Sequence, residues 1–246
     1  MLASGMAASQ VGGASDNRDQ ARFDRALDSL WLVFQPIVSL VTPNAPTVAY
    51  EALCRTSEKG LGDPQELLSL AVSLGEVHTL AQIVRERAAE VMKRRQDITL
   101  FINLDGQELL GPAEGLDPLA EFAHRVVLEV TERSPISRLP EVRVRASALR
   151  DAGYRFAIDD LGGGYAGLSS LALMEPEFVK IDESLVRGVD REPVRRKIIG
   201  SLVGLCRQLR IACIVGGVET EAERDALLEL HCELMQGYLF GRPVVV

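Results

Sequence analysis

Long apolar runs are missing from this chain: no stretch approaches the roughly 18 apolar residues that a membrane-spanning helix requires. The opening "MLASGMAASQVGGASDN" also lacks the basic start and apolar stretch of a secretory signal. Basic residues are outnumbered, 27 Lys and Arg against 35 Asp and Glu, giving a formal charge of −8. That balance argues against loose binding to long nucleic acid, which needs a basic face. No CxxC pair occurs among Cys54, Cys206, Cys213 and Cys232. Scattered through apolar segments, they read as buried free thiols in a reducing compartment. A GxGxxG after the first strand is absent too, which excludes a Rossmann reading. The simplest expectation is a soluble cytoplasmic protein.

What the chain has is core material in regular order. Of its 246 residues, 47% are apolar, enough for a substantial core. Residues 1–18, rich in Gly, Ala and Ser, read as a disordered tail or linker, and 19–246 as one barrel domain. "RDQARFDRALDSL" has helical spacing, with Phe23, Ala26, Leu27 and Leu30 on one face. Strand-like segments then alternate with helix-like ones, "LVFQPIV" first and "LMQGYLF" last. This order implies a largely parallel sheet covered by helices. About eight strands in some 220 residues favour an α/β barrel of the (β/α)8 kind over an open sheet. "TPNAPTVAY" is too short for a crossover helix, so the first two strands are expected to form an antiparallel hairpin.

Polar groups recur where these strands end. Side chains alternate along a strand, so Glu51 shares a face with Arg55, Phe101 with Asn103, and Val127 with Glu129. Ala157 likewise goes with Asp159, and Phe178 with Lys180 and Asp182. In a barrel such ends converge on one mouth. An isolated acid there is ordinarily a helix cap or a solvated side chain, and "IDDLGGG" could merely start a turn. Repetition at four or more strand ends points instead to a site. Glu51, Glu129, Glu132, Asp159 and Asp160 gathered together would repel one another. Mg²⁺ or Mn²⁺, which prefer oxygen donors, would relieve that repulsion.

The ordered motifs "FQPIV", "YEALCR", "FINL", "LEVTE", "IDDLGGGYAGLSSL", "VKIDESLV", "GGVETEAE" and "MQGYLFGRP" resemble the EAL family, the bacterial cyclic di-GMP phosphodiesterases. The resemblance covers roughly residues 20–244 and implies a modified TIM barrel with an antiparallel first strand pair. It implies Glu51, Asn103, Glu129 and Asp159 as metal ligands, with Asp160 serving a second metal. Lys180 matches the lysine near the attacking water or phosphate, and Glu132 supports the loop from Asp159 to Gly167. Arg55 would grip a substrate phosphate, while Gln35, Asp182, Glu219 and Gln236 would contact the ligand or line its site. The implied cofactor is Mg²⁺ or Mn²⁺, and the implied ligand cyclic di-GMP, opened to linear pGpG. A homodimer, or a protein partner in bacterial signalling, fits the same resemblance.

Three departures qualify it. The family reads Ala-Glu-Gly-Val-Glu where this chain has Val215-Gly216-Gly217-Val218-Glu219, so Gly216 stands where a glutamate is usual. Glycine can neither ligate a metal nor accept a proton, and losing one such group costs about 10²–10⁴-fold in rate. Gly163 replaces a threonine or similar small residue, and "LCRT" replaces the frequent "LLRW". The expectation is an EAL-type domain that binds cyclic di-GMP with hydrolysis weak or absent. The alternatives are an active Mg²⁺/Mn²⁺-dependent phosphodiesterase and a protein-interaction scaffold with a relic site.

Overall fold

A computed structural model describes residues 10–109, 113–131, 139–163 and 167–245. Helix α1 (Gln10–Asp28) leads into β1 (Leu30–Ser39) and β2 (Thr47–Thr56), followed by α2 (Pro64–Leu74) and α3 (Val77–Arg94). Next come β3 (Leu100–Leu104), α4 (Gly106–Leu109), a 3₁₀ segment (Ala113–Arg125), β4 (Val126–Thr131) and α5 (Leu139–Asp151). The chain continues through β5 (Arg155–Leu161), α6 (Gly167–Met174), β6 (Phe178–Ile181), α7 (Glu183–Val186) and α8 (Pro193–Leu209). It closes with β7 (Ala212–Val215), α9 (Glu221–Glu229) and β8 (Leu234–Gln236).

The eight strands form a closed barrel in sequence order, with β8 returning to β1. β1 runs antiparallel to both neighbours, and every other pair is parallel. The fold is therefore a modified TIM barrel, with the expected hairpin as its irregular corner. The longer helices follow from local chemistry. Asp63 caps α2 by accepting from the Gln65 N–H at 2.9 Å, Pro64 opens it, and Gly75 ends it in the left-handed region.

Helix α1 starts at Gln10, earlier than the apolar spacing from Arg18 onward indicates. Phe23 and Ala26 of the expected face are fully buried, but Leu30, expected on the same helical face, instead opens β1 and is buried there, because the helix stops at Asp28. Asn17 and Arg18, just ahead of that face, are exposed. Of the cysteines, only Cys206 and Cys232 are buried; Cys54 and Cys213, expected buried, are half-buried, Cys54 where β2 borders a cavity. All four are free.

Inside the barrel lies one apolar layer: Ile37, Ala49, Phe101, Val127, Ala157 and Ile214, packed with Phe178 and Leu234. It forms the floor beneath the strand ends. A larger apolar shell separates the outer face of the sheet from the helices. Among the described residues, no helix is long and apolar enough to cross a membrane.

Candidate metal centre and ligand cavity

Every residue of the apolar floor has a counterpart two positions further towards the mouth on the same strand face. In strand order these are Gln35, Glu51, Asn103, Glu129, Asp159, Lys180, Gly216 and Gln236. Eight strands thus contribute eight positions to one layer, and Gly216 alone brings no side chain. Seven of the eight border a cavity, whereas Glu129 lies wholly beneath.

At the centre, one oxygen each of Glu51, Glu129 and Asp159 lies within 4.8 Å of the others. Lys180 Nζ stands among them, 2.9 Å from Glu51, 2.9 Å from Glu129 and 3.5 Å from Asp159. Gln236 Nε2 donates to Glu51 at 2.7 Å and to Gln35 at 3.3 Å. Burial pushes the Glu51 carboxyl up, but the Lys180 charge and hydrogen bonds from Lys180, Gln236 and Asn103 outweigh it and hold the group low. Burial dominates at Glu129; with the Glu51 and Asp159 charges it raises that carboxyl well above the ordinary range, against the pull of Lys180. Burial works against the Lys180 charge, yet Asp159, Glu129 and Glu51 outweigh it and hold the ammonium well above its ordinary range.

Glu129 supplies the test of whether a cation fits here. It is fully buried, and apart from its ion pair with Lys180 neither carboxylate oxygen has a hydrogen-bond partner. Buried acceptors left in that state are costly. With three carboxylates converging and the Asn103 amide hydrogen-bonded to Glu51, the donors are hard oxygens suited to Mg²⁺ or Mn²⁺. The residues fit such an ion.

Asp159 and Asp160 both face the mouth because β5 breaks register with β6 between Ile158 and Leu161, and Asp160 takes φ +60°. This bulge lets two consecutive side chains border the same space, which a regular strand forbids. Asp160 lines both cavities but stands outside the close trio. Glu132 lies outside the described residues.

The main cavity, about 670 Å³, opens over the side of the layer that includes Gly216 and Gln236. Asp182 lines it while accepting from the Ser184 N–H at 2.9 Å, so it also caps α7. Glu219 lies on its rim and forms a forked ion pair with Arg187. The Arg187 hydrogen bond is the main cause holding the Glu219 carboxyl below its usual range. A second cavity of about 350 Å³ opens between β2, β3 and helices α2 and α3, with Asn103 and Asp160 on its wall. Arg55 borders neither cavity; its Nη1 donates to the Cys54 carbonyl at 2.7 Å. Sequence reasoning missed Arg187, Glu223 and Gln65. Gln65 borders both cavities, and its one signal was its place directly after Asp63-Pro64 at a helix start.

Comparison with known proteins agrees with this architecture. A family model described as "EAL domain" matches residues 19–243. The Escherichia coli K12 protein called probable cyclic di-GMP phosphodiesterase PdeG is 30% identical over 222 residues, 86% of this chain and 44% of that protein. Less than half of that relative's length is therefore spanned. The structure of the PaMucR phosphodiesterase in complex with c-di-GMP aligns with TM-score 0.82 and 28% identity, covering 92% of this chain and 97% of that one. A manganese and cy-diGMP complex of Klebsiella pneumoniae BlrP1 gives TM-score 0.78 at 26% identity, over 97% of this chain and 67% of that one.

Proposed function

Because this chain belongs to the EAL domain family, we propose that it is a cyclic di-GMP-binding domain whose hydrolytic step is weakened by Gly216. The observation that carries the reading is the single gap in the polar layer. Seven positions keep polar side chains, the acidic trio among them, and the eighth, on the wall of the main cavity, is bare. The relatives PaMucR and BlrP1, solved with the cyclic dinucleotide, support cyclic di-GMP as the ligand class.

Glu51, Asn103, Glu129 and Asp159 would hold the first cation, with Asp160 beside them for a second. When bound, Mg²⁺ or Mn²⁺ supplies Lewis acidity towards the phosphodiester and lowers the pKa of a coordinated water. Lys180 keeps a positive charge at the buried centre, and in the bound state would balance phosphate. Gln236 and Gln35 hold the Glu51 side of the layer through linked amide hydrogen bonds. Asp182, Glu219 and Arg55 remain ligand contacts, Arg55 only after turning from the Cys54 carbonyl. Glu132 would support the loop after Asp160. Gly216 offers no acceptor for a proton from the attacking water, so turnover loses that assistance.

A second reading, an active Mg²⁺- or Mn²⁺-dependent phosphodiesterase, is favoured by the retention of every other member of the layer. One measurement set decides between them. Purified protein with Mn²⁺ is expected to bind cyclic di-GMP in calorimetry while releasing pGpG slowly. Gly216→Glu should raise turnover by about 100-fold or more. A Cβ there needs no positive φ, and its nearest neighbour is the Ile181 carbonyl oxygen at 3.2 Å, a close contact that must ease by a few tenths of an ångström. Equal turnover by wild type and the variant would overturn the assignment of impairment to Gly216. Absence of both binding and turnover would leave only the scaffold reading.

A further inference from the structure

The main cavity is acidic, lined by Glu51, Asp159, Asp160, Asp182, Glu183 and Glu219 against two cations, Lys180 and Arg187. Lys180 is engaged by three carboxylates. Arg187 is thus the one guanidinium among the described lining residues, and Arg55 does not reach the wall. Its Nη1 and Nη2 face the two oxygens of Glu219, with side-chain exposures of 40% and 36%. The fork uses one N–H on each terminal nitrogen. Three of the five guanidinium N–H groups remain for other acceptors.

This pair is built rather than incidental. Glu223, only 4% exposed, accepts from the Gly188 N–H at 3.1 Å through Oε1. Through Oε2 it accepts from the N–H groups of Glu219 and Thr220, each at 3.1 Å. One carboxylate therefore fastens the residue after Arg187 and the residue Glu219 itself. Gly188 turns there at φ +71°, a conformation suited to glycine. Arg195 holds the same loop from the other side, donating to the carbonyls of Ser184 and Arg187.

Donors of Arg187 beside acceptors of Glu219 make a pattern that one nucleobase edge matches. Guanine presents the O6 acceptor next to the N1–H and N2–H donors, whereas adenine presents a donor at N6 and an acceptor at N1. We propose that the Arg187–Glu219 pair reads a guanine base in this cavity, with Arg187 as a specificity-determining residue and Glu223 as the residue that positions the pair. Tyr238, on the same cavity wall and half-exposed, carries the Arg242 guanidinium over one face of its ring, 4.3 Å from the centroid, and would stack a base on the other. This inference rests on the cyclic dinucleotide reading above and adds the residue that selects the base.

The test is calorimetric binding of cyclic di-GMP and cyclic di-AMP, with Mn²⁺ present, to wild type, Arg187→Ala, Arg187→Lys and Glu223→Gln. Wild type is expected to prefer the guanine ligand. Arg187→Ala should lower cyclic di-GMP affinity by about tenfold to 100-fold, the worth of one bidentate base contact, and leave cyclic di-AMP affinity unchanged. Arg187→Lys should recover only part of the loss, since a lysine cannot form the fork. Glu223→Gln has one acceptor oxygen where two are needed, so it should reduce the guanine preference several-fold; a melting curve confirms its fold. An unaltered guanine-to-adenine preference in Arg187→Ala would overturn this inference alone. Failure of wild type to bind cyclic di-GMP would overturn both it and the reading on which it rests.

Discussion

Gly216 and Gly217 are adjacent but answer to different constraints. Gly217 has φ +73°, and a Cβ there would lie 2.3 Å from the Glu183 Cβ; only glycine fits. Gly216 needs no positive φ and meets only a milder contact, 3.2 Å from a Cβ to the Ile181 carbonyl oxygen, so its identity bears more on the cavity than on the backbone. Gly217→Ala should therefore destabilise the fold by about 2 kcal/mol or more, and Gly216→Ala by under about 1 kcal/mol, compared in urea titrations. The acidic trio makes a second expectation at this scale. Lys180→Met leaves Glu51, Glu129 and Asp159 without their cation, a change worth about 3–5 kcal/mol where a buried pair is broken. Mn²⁺ should restore much of that stability, measured by the same titration with and without the ion. Most of these centre residues were legible in the sequence because strand alternation is strict. The resting direction of Arg55, turned to the Cys54 carbonyl, was not legible, since alternation gives the side of a strand, not where a long side chain ends. Arg187 was not legible, its partner lying 32 residues away on another loop.

Between residues and the whole, the decisive unit is the start of α9. Thr220 and Glu223 form a capping box, and Glu223 reaches beyond it to the Gly188 N–H. Burial pushes the Glu223 carboxyl up, but hydrogen bonds from the Gly188, Glu219 and Thr220 backbones and the Thr220 side chain outweigh it, and the group sits low. A carboxyl lowered on folding contributes stability above its unfolded pKa of about 4.3, and loses it as pH falls through the folded value. The stability gap between wild type and Glu223→Gln should thus be full near neutrality and close progressively below about pH 4, followed by denaturant unfolding. Helices with a cap signal and several turns of apolar period, such as α2 and α9, could be read from the chain. Short α4, α6 and α7, of four, eight and four residues, were not identified. Two of them complete scarcely one turn, too little for periodicity to register.

For the molecule as a whole, barrel closure concentrates strand ends at one mouth and so concentrates acid. A cation that binds only the folded state adds about 2.7 kcal/mol at 100 times its Kd. For a chain of this size that corresponds to a rise of about 5–10 °C in Tm. Mn²⁺ or Mg²⁺ should produce such a rise and EDTA reverse it in scanning calorimetry; an unchanged Tm would mean that the trio holds no ion. The barrel itself was legible from strand count and the short first connection, whereas its cavities were not, because they depend on how loops after different strands meet.

The reversed direction of β1 carries one more consequence. Leu30, its first residue, pairs with Thr56 at the end of β2, so α1 delivers the chain to the mouth rather than to the opposite pole. Arg22 donates to the carbonyls of Lys59 and Gly60, and Arg25 pairs with Glu58. Those residues lead straight to Gln65. The first helix is thereby tied, by contacts outside the barrel, to the segment that carries Gln65 into the wall both hollows share.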